Sequence, residues 1–150
     1  MTSNQSSTSR SSFLNSQKQA EGGYLEIRAA KRAGVNPTAA AIGSLKALGK
    51  LNQDEQQATS FFLSEMQSDE GGFTANTRIP FADLLSSFTG LLTLIDLDSA
   101  SKVNIEAIHR YALSMQSAEG GFVGFALDQT ADVEYSFYGL ATLALCQLCR

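Results

Sequence analysis

One signature recurs three times at a fixed interval. It reads Glu21-Gly22-Gly23-Tyr24, Glu70-Gly71-Gly72-Phe73 and Glu119-Gly120-Gly121-Phe122, 49 residues apart each time. A period of this length restricts the chain to a stack of supersecondary units, each burying its apolar face against the next. Residues 61–101 laid on 110–150 give 15 identities in 41 pairs without a gap, where composition alone gives roughly two or three. The identities fall in two blocks. Met66-Gln67-Ser68 and Glu70 to Phe73 match Met115-Gln116-Ser117 and Glu119 to Phe122. Ala82-Asp83, Ser87-Phe88, Gly90-Leu91 and Thr93-Leu94 match Ala131-Asp132, Ser136-Phe137, Gly139-Leu140 and Thr142-Leu143. The first copy has diverged: Lys18 replaces Gln67 and Gln116, and Ala41 replaces Gly90 and Gly139.

Each unit reads as two helices. Asp54 to Met66 and Ile105 to Met115 carry apolar residues three and four apart with polar residues between, the pattern of a one-sided helix. The double glycine ends this first helix, because glycine accepts the positive φ of a tight turn. A loop of roughly ten residues follows. The second helix starts at Pro37, Phe81 or Asp132. Asn36 is the expected cap of the earliest, with Pro37 in its first turn. Asp83 and Asp132 fall in first turns, where the helix dipole favours a carboxylate. These second helices are apolar nearly all round, so neighbours or a ligand must cover them. No segment alternates with period two for long enough to form a strand. The expected fold is all-α: helical hairpins stacked side by side.

Composition narrows the class. Apolar residues are 43% and charged residues 17% of a 150-residue chain, enough for one domain. A net charge of -4 argues against nucleic acid as a partner. No run of 18 apolar residues exists, so no membrane span is expected. Residues 1–12 hold six Ser and no large apolar residue after Met1, which predicts a disordered tail before a folded domain over 13–150. With no apolar leader segment and two free thiols, the expected compartment is the cytoplasm.

The residues named so far resemble a known family. Gln-x-x-Glu-Gly-Gly-Phe, a loop, then Asp-x-x-[Tyr/Ser]-Ser-Phe-x-Gly-Leu-x-Thr-Leu is similar to the repeat of prenyltransferases and squalene oxidocyclases. That repeat builds the α/α toroid of protein prenyltransferase β subunits and of triterpene cyclases. Asp132-Val133-Glu134-Tyr135-Ser136-Phe137-Tyr138 resembles the Asp-Val-Cys-Tyr-Ser-Trp-Trp of Rab-type geranylgeranyltransferase β subunits. The resemblance covers about residues 13 to 150 and implies an isoprenoid ligand. It also implies a structural repeat motif of Gln67, Gly71, Gly72 and Phe73, and of Gln116, Gly120, Gly121 and Phe122, in which Gln67 and Gln116 hold adjacent repeats together.

The resemblance further implies a catalytic zinc held by an Asp, a Cys and a later His. Asp132 keeps the Asp position and Glu134 replaces the Cys; the only His, His109, lies upstream. Asp132 and Glu134 are therefore the candidate metal ligands, in a set suited to harder ions than zinc. The alternative for Asp132 is a first-turn carboxylate with no metal. The loop Val123 to Asp128 carries no base, whereas the first loop holds Arg28, Lys31 and Arg32, read as a solvated face. Asp96-Leu97-Asp98-Ser99 is short of the cyclase Asp-x-Asp-Asp motif and reads as a turn. Cys146 and Cys149 lie three apart without a second pair, and His109 reads as a partly exposed helix residue.

A toroid of this type takes about five or six hairpins, and three are present here. The expectation is an open arc of five helices plus a stub near Phe13 and Leu14. Its inner wall would bear Phe88, Tyr135, Phe137 and Tyr138. Such a wall fits an isoprenoid or similar apolar chain, with catalysis in question. The alternative is a non-catalytic scaffold. The expected partners are a second copy or a complementary repeat protein.

Overall fold

The computed structural model describes residues 3–150, with side chains from residue 6 onward. Six α-helices follow one another: α1 (Ser3–Ser16), α2 (Val35–Ala47), α3 (Gln53–Ser64), α4 (Leu84–Asp96), α5 (Ile105–Ser114) and α6 (Val133–Leu148). They form three hairpins. α2 packs on α4 and α4 on α6, making one row; α1, α3 and α5 lie against α2, α4 and α6 respectively.

The outer helices stop at Ser16, Ser64 and Ser114, short of the double glycines expected to end them; the glycines make the turn that follows instead. Gly22, Gly71 and Gly120 have φ of 94°, 102° and 100°, conformations that a Cβ disfavours. The chain then turns so that the following aromatic points inward. Tyr24, Phe73 and Phe122 are all buried. Their amide N–H groups donate to hydroxyls on the inner helices: Tyr24 to Thr38 Oγ1 at 2.9 Å, Phe73 to Ser87 Oγ at 2.9 Å and Phe122 to Ser136 Oγ at 3.0 Å. A buried N–H without a partner is costly, so this staple ties each turn to its own hairpin.

The apolar core crosses the joints between hairpins. Val35 of the first hairpin, Phe62, Leu63, Leu91 and Leu94 of the second, and Ile108 and Cys146 of the third share one cluster. Leu84 joins Tyr111, Ala112, Met115 and Phe122 in another. No unit buries its apolar face alone, as a repeat architecture requires.

Three further expectations are corrected. The Ser-rich stretch expected to be a disordered tail has its first two residues outside those described, but from Ser3 it is helical, so α1 is a full helix and not a stub. Leu14 anchors it on the cluster of Tyr24, Ala41, Ile42 and Leu45. Tertiary packing of this kind outweighs weak local propensity. Secondly, Gly34 and not Asn36 is the N-cap of α2. Asn36 lies inside the first turn and binds across to α4 instead, where Thr89 Oγ1 donates to its Oδ1 at 2.6 Å. Thirdly, short extended pairs exist. β1 (Phe73–Thr74) and β2 (Ala82–Asp83) are antiparallel, and single bridges join Tyr24 to Gly34 and Phe122 to Asp132 at the same places in the repeat. Two residues are too few for alternation to show in sequence.

Candidate functional site

The four aromatic residues expected on the inner wall do come together. Phe88 lies on α4, and Tyr135, Phe137 and Tyr138 lie on α6. Phe88 stacks on Tyr138 with centroids 5.6 Å apart and meets Phe137 edge-on at 5.6 Å. Tyr138 in turn meets Phe137 at 5.5 Å and Tyr135 at 6.0 Å, both edge-on. These separations are those of favourable ring pairs. The cluster is not sealed: Phe137 is exposed, and Phe88, Tyr135 and Tyr138 are only half-buried. Partial burial and neighbouring carboxylates, Asp83 first among them, push the Tyr135 phenol up. Burial, then a hydrogen bond to Glu134, does the same for Tyr138. Both phenols therefore stay neutral near pH 7.

Asp132 and Glu134 occupy the start of α6. Asp132 is the N-cap, its Oδ1 accepting the Tyr135 N–H at 2.7 Å. Glu134 Oε1 accepts the Tyr138 hydroxyl at 3.1 Å. Both side chains are exposed. Among the described residues no group of three His, Cys, Asp or Glu side chains is placed to hold a metal ion. A catalytic zinc needs three protein ligands, commonly with nitrogen or sulfur donors. Two carboxylates already engaged by an amide and a phenol do not fit it. Asp83 caps α4 in the same way through Ser86 N–H at 2.7 Å, so this cap recurs where no metal is implied.

The basic residues of the first loop, Arg28, Lys31 and Arg32, are all exposed, as a solvated face requires. Lys31 and Arg32 line a cleft of about 800 Å³ together with Arg78, which comes from the second loop. Arg32 Nη1 donates to Thr77 Oγ1 at 3.2 Å across that cleft. Leu85 also lines it, and Leu85 lies one helical turn before Phe88 on the same face of α4. Sequence reading missed Arg78 because its partners stand in another repeat. It also missed the stacked pair of Phe81 and Phe125, 5.1 Å apart, which joins the second and third loops.

The remaining candidates are structural. Gln67 Nε2 donates to Gly71 O at 2.9 Å and to Asn104 O at 3.0 Å, while its Oε1 accepts the Asn104 N–H at 2.9 Å. It clamps its own turn to the start of α5. Gln116, its counterpart, is exposed. Lys18, at the same register in the first repeat, pairs with Glu55 at 3.7 Å. Cys146 is buried and its thiol is pushed up to about 11 by burial first, then by Cys149, which makes it a poor nucleophile. His109 is partly exposed. Asp98, at the end of α4, turns with a φ of 52°.

Comparison with known proteins gives the fold context. The structure is similar to that of the Candida albicans protein geranylgeranyltransferase-I complexed with GGPP, with a TM-score of 0.83 and 24% identity over 93% of this chain. The match spans 43% of that protein's chain. No curated protein sequence matches significantly. No helix among the described residues is long and apolar enough to cross a membrane. The prenyltransferase alpha-alpha toroid domain family matches residues 3–150. With three such repeats built as α/α hairpins, the chain belongs to that family.

Proposed function

We propose that the chain binds an isoprenoid or similar apolar chain along its row of inner helices. The observation that carries this reading is the half-exposed cluster of Phe88, Tyr135, Phe137 and Tyr138. Apolar rings left open to solvent on one face are what an apolar ligand covers. Each ring that a ligand buries adds roughly 1.5–3 kcal/mol of transfer energy. The geranylgeranyltransferase of similar fold is itself complexed with GGPP, which supports a ligand of that class. Lys31, Arg32 and Arg78 supply positive charge for a diphosphate head, and Leu85 links their cleft to the aromatic face.

The reading stops at binding. Thiolate activation by zinc finds no matching ligand set at Asp132 and Glu134, and no step is assigned to them. If nothing apolar binds, the second reading is a scaffold, which the exposed Val133 and Leu140 on α6 favour.

The test is equilibrium binding of a fluorescent isoprenoid diphosphate to the wild type and to the double variant Phe137→Ala, Tyr138→Ala. The double variant should lose at least about tenfold in affinity with helicity unchanged. Equal binding by the two proteins removes the aromatic face from the site.

A further inference from the structure

The joint between the second and third hairpins holds a set of polar groups that the first joint lacks. Asp83 caps α4, and Tyr135 lies in the first turn of α6. Asp83 stands opposite Phe73 in the short antiparallel pair. The residue before Phe73, Gly72, lies against the Tyr111 ring of α5, where a Cβ would come within 2.5 Å. On the other side, Leu84 N–H donates to Gly124 O at 2.9 Å, and a Cβ on Gly124 would come within 2.6 Å of the Tyr135 ring. Glu70 Oε2 accepts the Ala82 N–H at 2.7 Å. The carboxylates of Glu70 and Asp83 and the phenols of Tyr111 and Tyr135 are thereby gathered at one joint.

Packing does not call for these groups. At the first joint the same register holds Glu21, Gly34, Phe62 and Ser86, and Phe62 is buried there without a hydroxyl. Tyr111 is 3% exposed, yet its hydroxyl has no hydrogen-bond partner among the described residues. A buried polar atom left unpaired is costly and marks a place for a polar guest. The hydroxyl faces Asp83, Glu70 and Tyr135, which together with burial, the larger cause, raise its pKa. Burial and then Asp83 raise Tyr135 in the same way. Each Asp83 oxygen accepts one bond from Ser86, at 2.7 and 2.8 Å, and a carboxylate oxygen can take two. Among the described residues no Lys, Arg or His pairs with Glu70 or Asp83. Acidic groups face one another here without a cation between them.

We propose that this seat binds a primary alkylammonium group, the head of a lysine side chain or of a free alkylamine. Its three N–H bonds meet three acceptors: a spare lone pair of Asp83 and the hydroxyls of Tyr111 and Tyr135. The bond to Asp83 is charge-assisted, which makes it the strongest of the three. Asp83 and Tyr135 are half-buried, so the seat opens on the inner face. The alkyl stem leaves past Tyr135 onto Tyr138 and Phe88. Tyr138 lies 6.0 Å from Tyr135 and 5.6 Å from Phe88, between ring centroids. Rings so close to a cation add to its binding, and a bare metal ion would leave the apolar ones unused. Every group named belongs to the second and third hairpins. The inference does not rest on the isoprenoid reading, because the amine binds with no isoprenoid present.

Two-dimensional NMR titration of the full chain with n-butylammonium chloride, to about 20 mM and at about pH 8, where an amine keeps its proton, tests the seat. Saturable shifts should gather on Asp83, Tyr111 and Tyr135. Neither n-butanol nor potassium chloride at the same concentrations should give shifts that saturate. Asp83→Asn keeps a capping acceptor and should weaken binding by at least about tenfold. Tyr111→Phe puts at this joint the residue that the first joint already buries. It should fold as the wild type does and weaken binding by at least about fivefold, which keeps the test open if Asp83→Asn unfolds. Tighter binding of N-acetyl-lysine methylamide than of butylammonium assigns the seat to a peptide, and the reverse order assigns it to a free amine. The same shifts with potassium chloride overturn the proposal in favour of an inorganic cation. No saturable shift with either amine, or wild-type affinity in both variants, overturns it outright.

Discussion

Alanine at the first glycine of each turn separates two effects that usually travel together. Gly71 and Gly120 share one conformation, with φ of 102° and 100°. An L-residue forced to a left-handed conformation costs roughly 1–2 kcal/mol. At Gly120 that is the whole cost, since among the described residues a Cβ there meets nothing within 4 Å. At Gly71 the new Cβ also runs into the Ala107 backbone, with the carbonyl carbon 2.9 Å away. Overpacking against atoms that cannot swing aside adds roughly 1–3 kcal/mol. Gly71→Ala should therefore cost about 2–5 kcal/mol and Gly120→Ala about 1–2 kcal/mol. Urea unfolding followed by circular dichroism measures both. Equal costs at the two sites would show that the joint at Gly71 is not packed as described. A negligible cost at both would refute the positive φ itself.

Two further outcomes follow from the same joints. Gln67→Ala removes three hydrogen bonds that clamp the turn to the start of α5 and should cost about 1–3 kcal/mol, whereas exposed Gln116→Ala should change stability by less than about 0.5 kcal/mol. Parallel urea titrations decide it, and matching costs would contradict the clamp. Asp83 gives a pH signature. Burial, outweighing its hydrogen bonds to Ser86, raises its pKa above the ordinary 3.8, so the native chain holds this proton more tightly than the unfolded chain. That contribution to stability is complete below the ordinary value and is lost as pH rises through the raised one. Asp83→Asn keeps a capping acceptor and removes the titration, so it should gain on the wild type between about pH 3 and about pH 7. A stability difference that stays constant with pH would contradict the raised value.

The hairpins were legible in the sequence because one conformational demand recurs. A positive φ at Gly22, Gly71 and Gly120 admits few residues but glycine, so the turns stand out and the helices follow by periodicity. The first helix was hidden because a Ser-rich composition says disorder, while the register that places Phe13 and Leu14 opposite Phe62 and Leu63 says helix. Register was the better guide. The same holds at Gly34, which stands where Asp83 and Asp132 cap their helices; the local Asn-Pro signal pointed two residues too far on. The aromatic face was visible as apolar residues left over on helices with no polar side. The cleft of Lys31, Arg32 and Arg78 was not, because stacking brings together loops nearly one repeat apart. A sequence shows what each repeat contains; which groups of neighbouring repeats face each other depends on how the units are stacked.

Calorimetric titration with geranylgeranyl diphosphate, beside inorganic diphosphate and the uncharged alcohol, tests the central claim that this face takes an isoprenoid. Burying the chain on Phe88, Tyr135, Phe137 and Tyr138 predicts a negative heat-capacity change, shared by the lipid diphosphate and the alcohol. The diphosphate head should add affinity through Lys31, Arg32 and Arg78, while inorganic diphosphate alone should bind at least about a hundredfold more weakly than the lipid diphosphate. Equal affinities for inorganic and lipid diphosphate, or no heat with any of the three, would contradict the account.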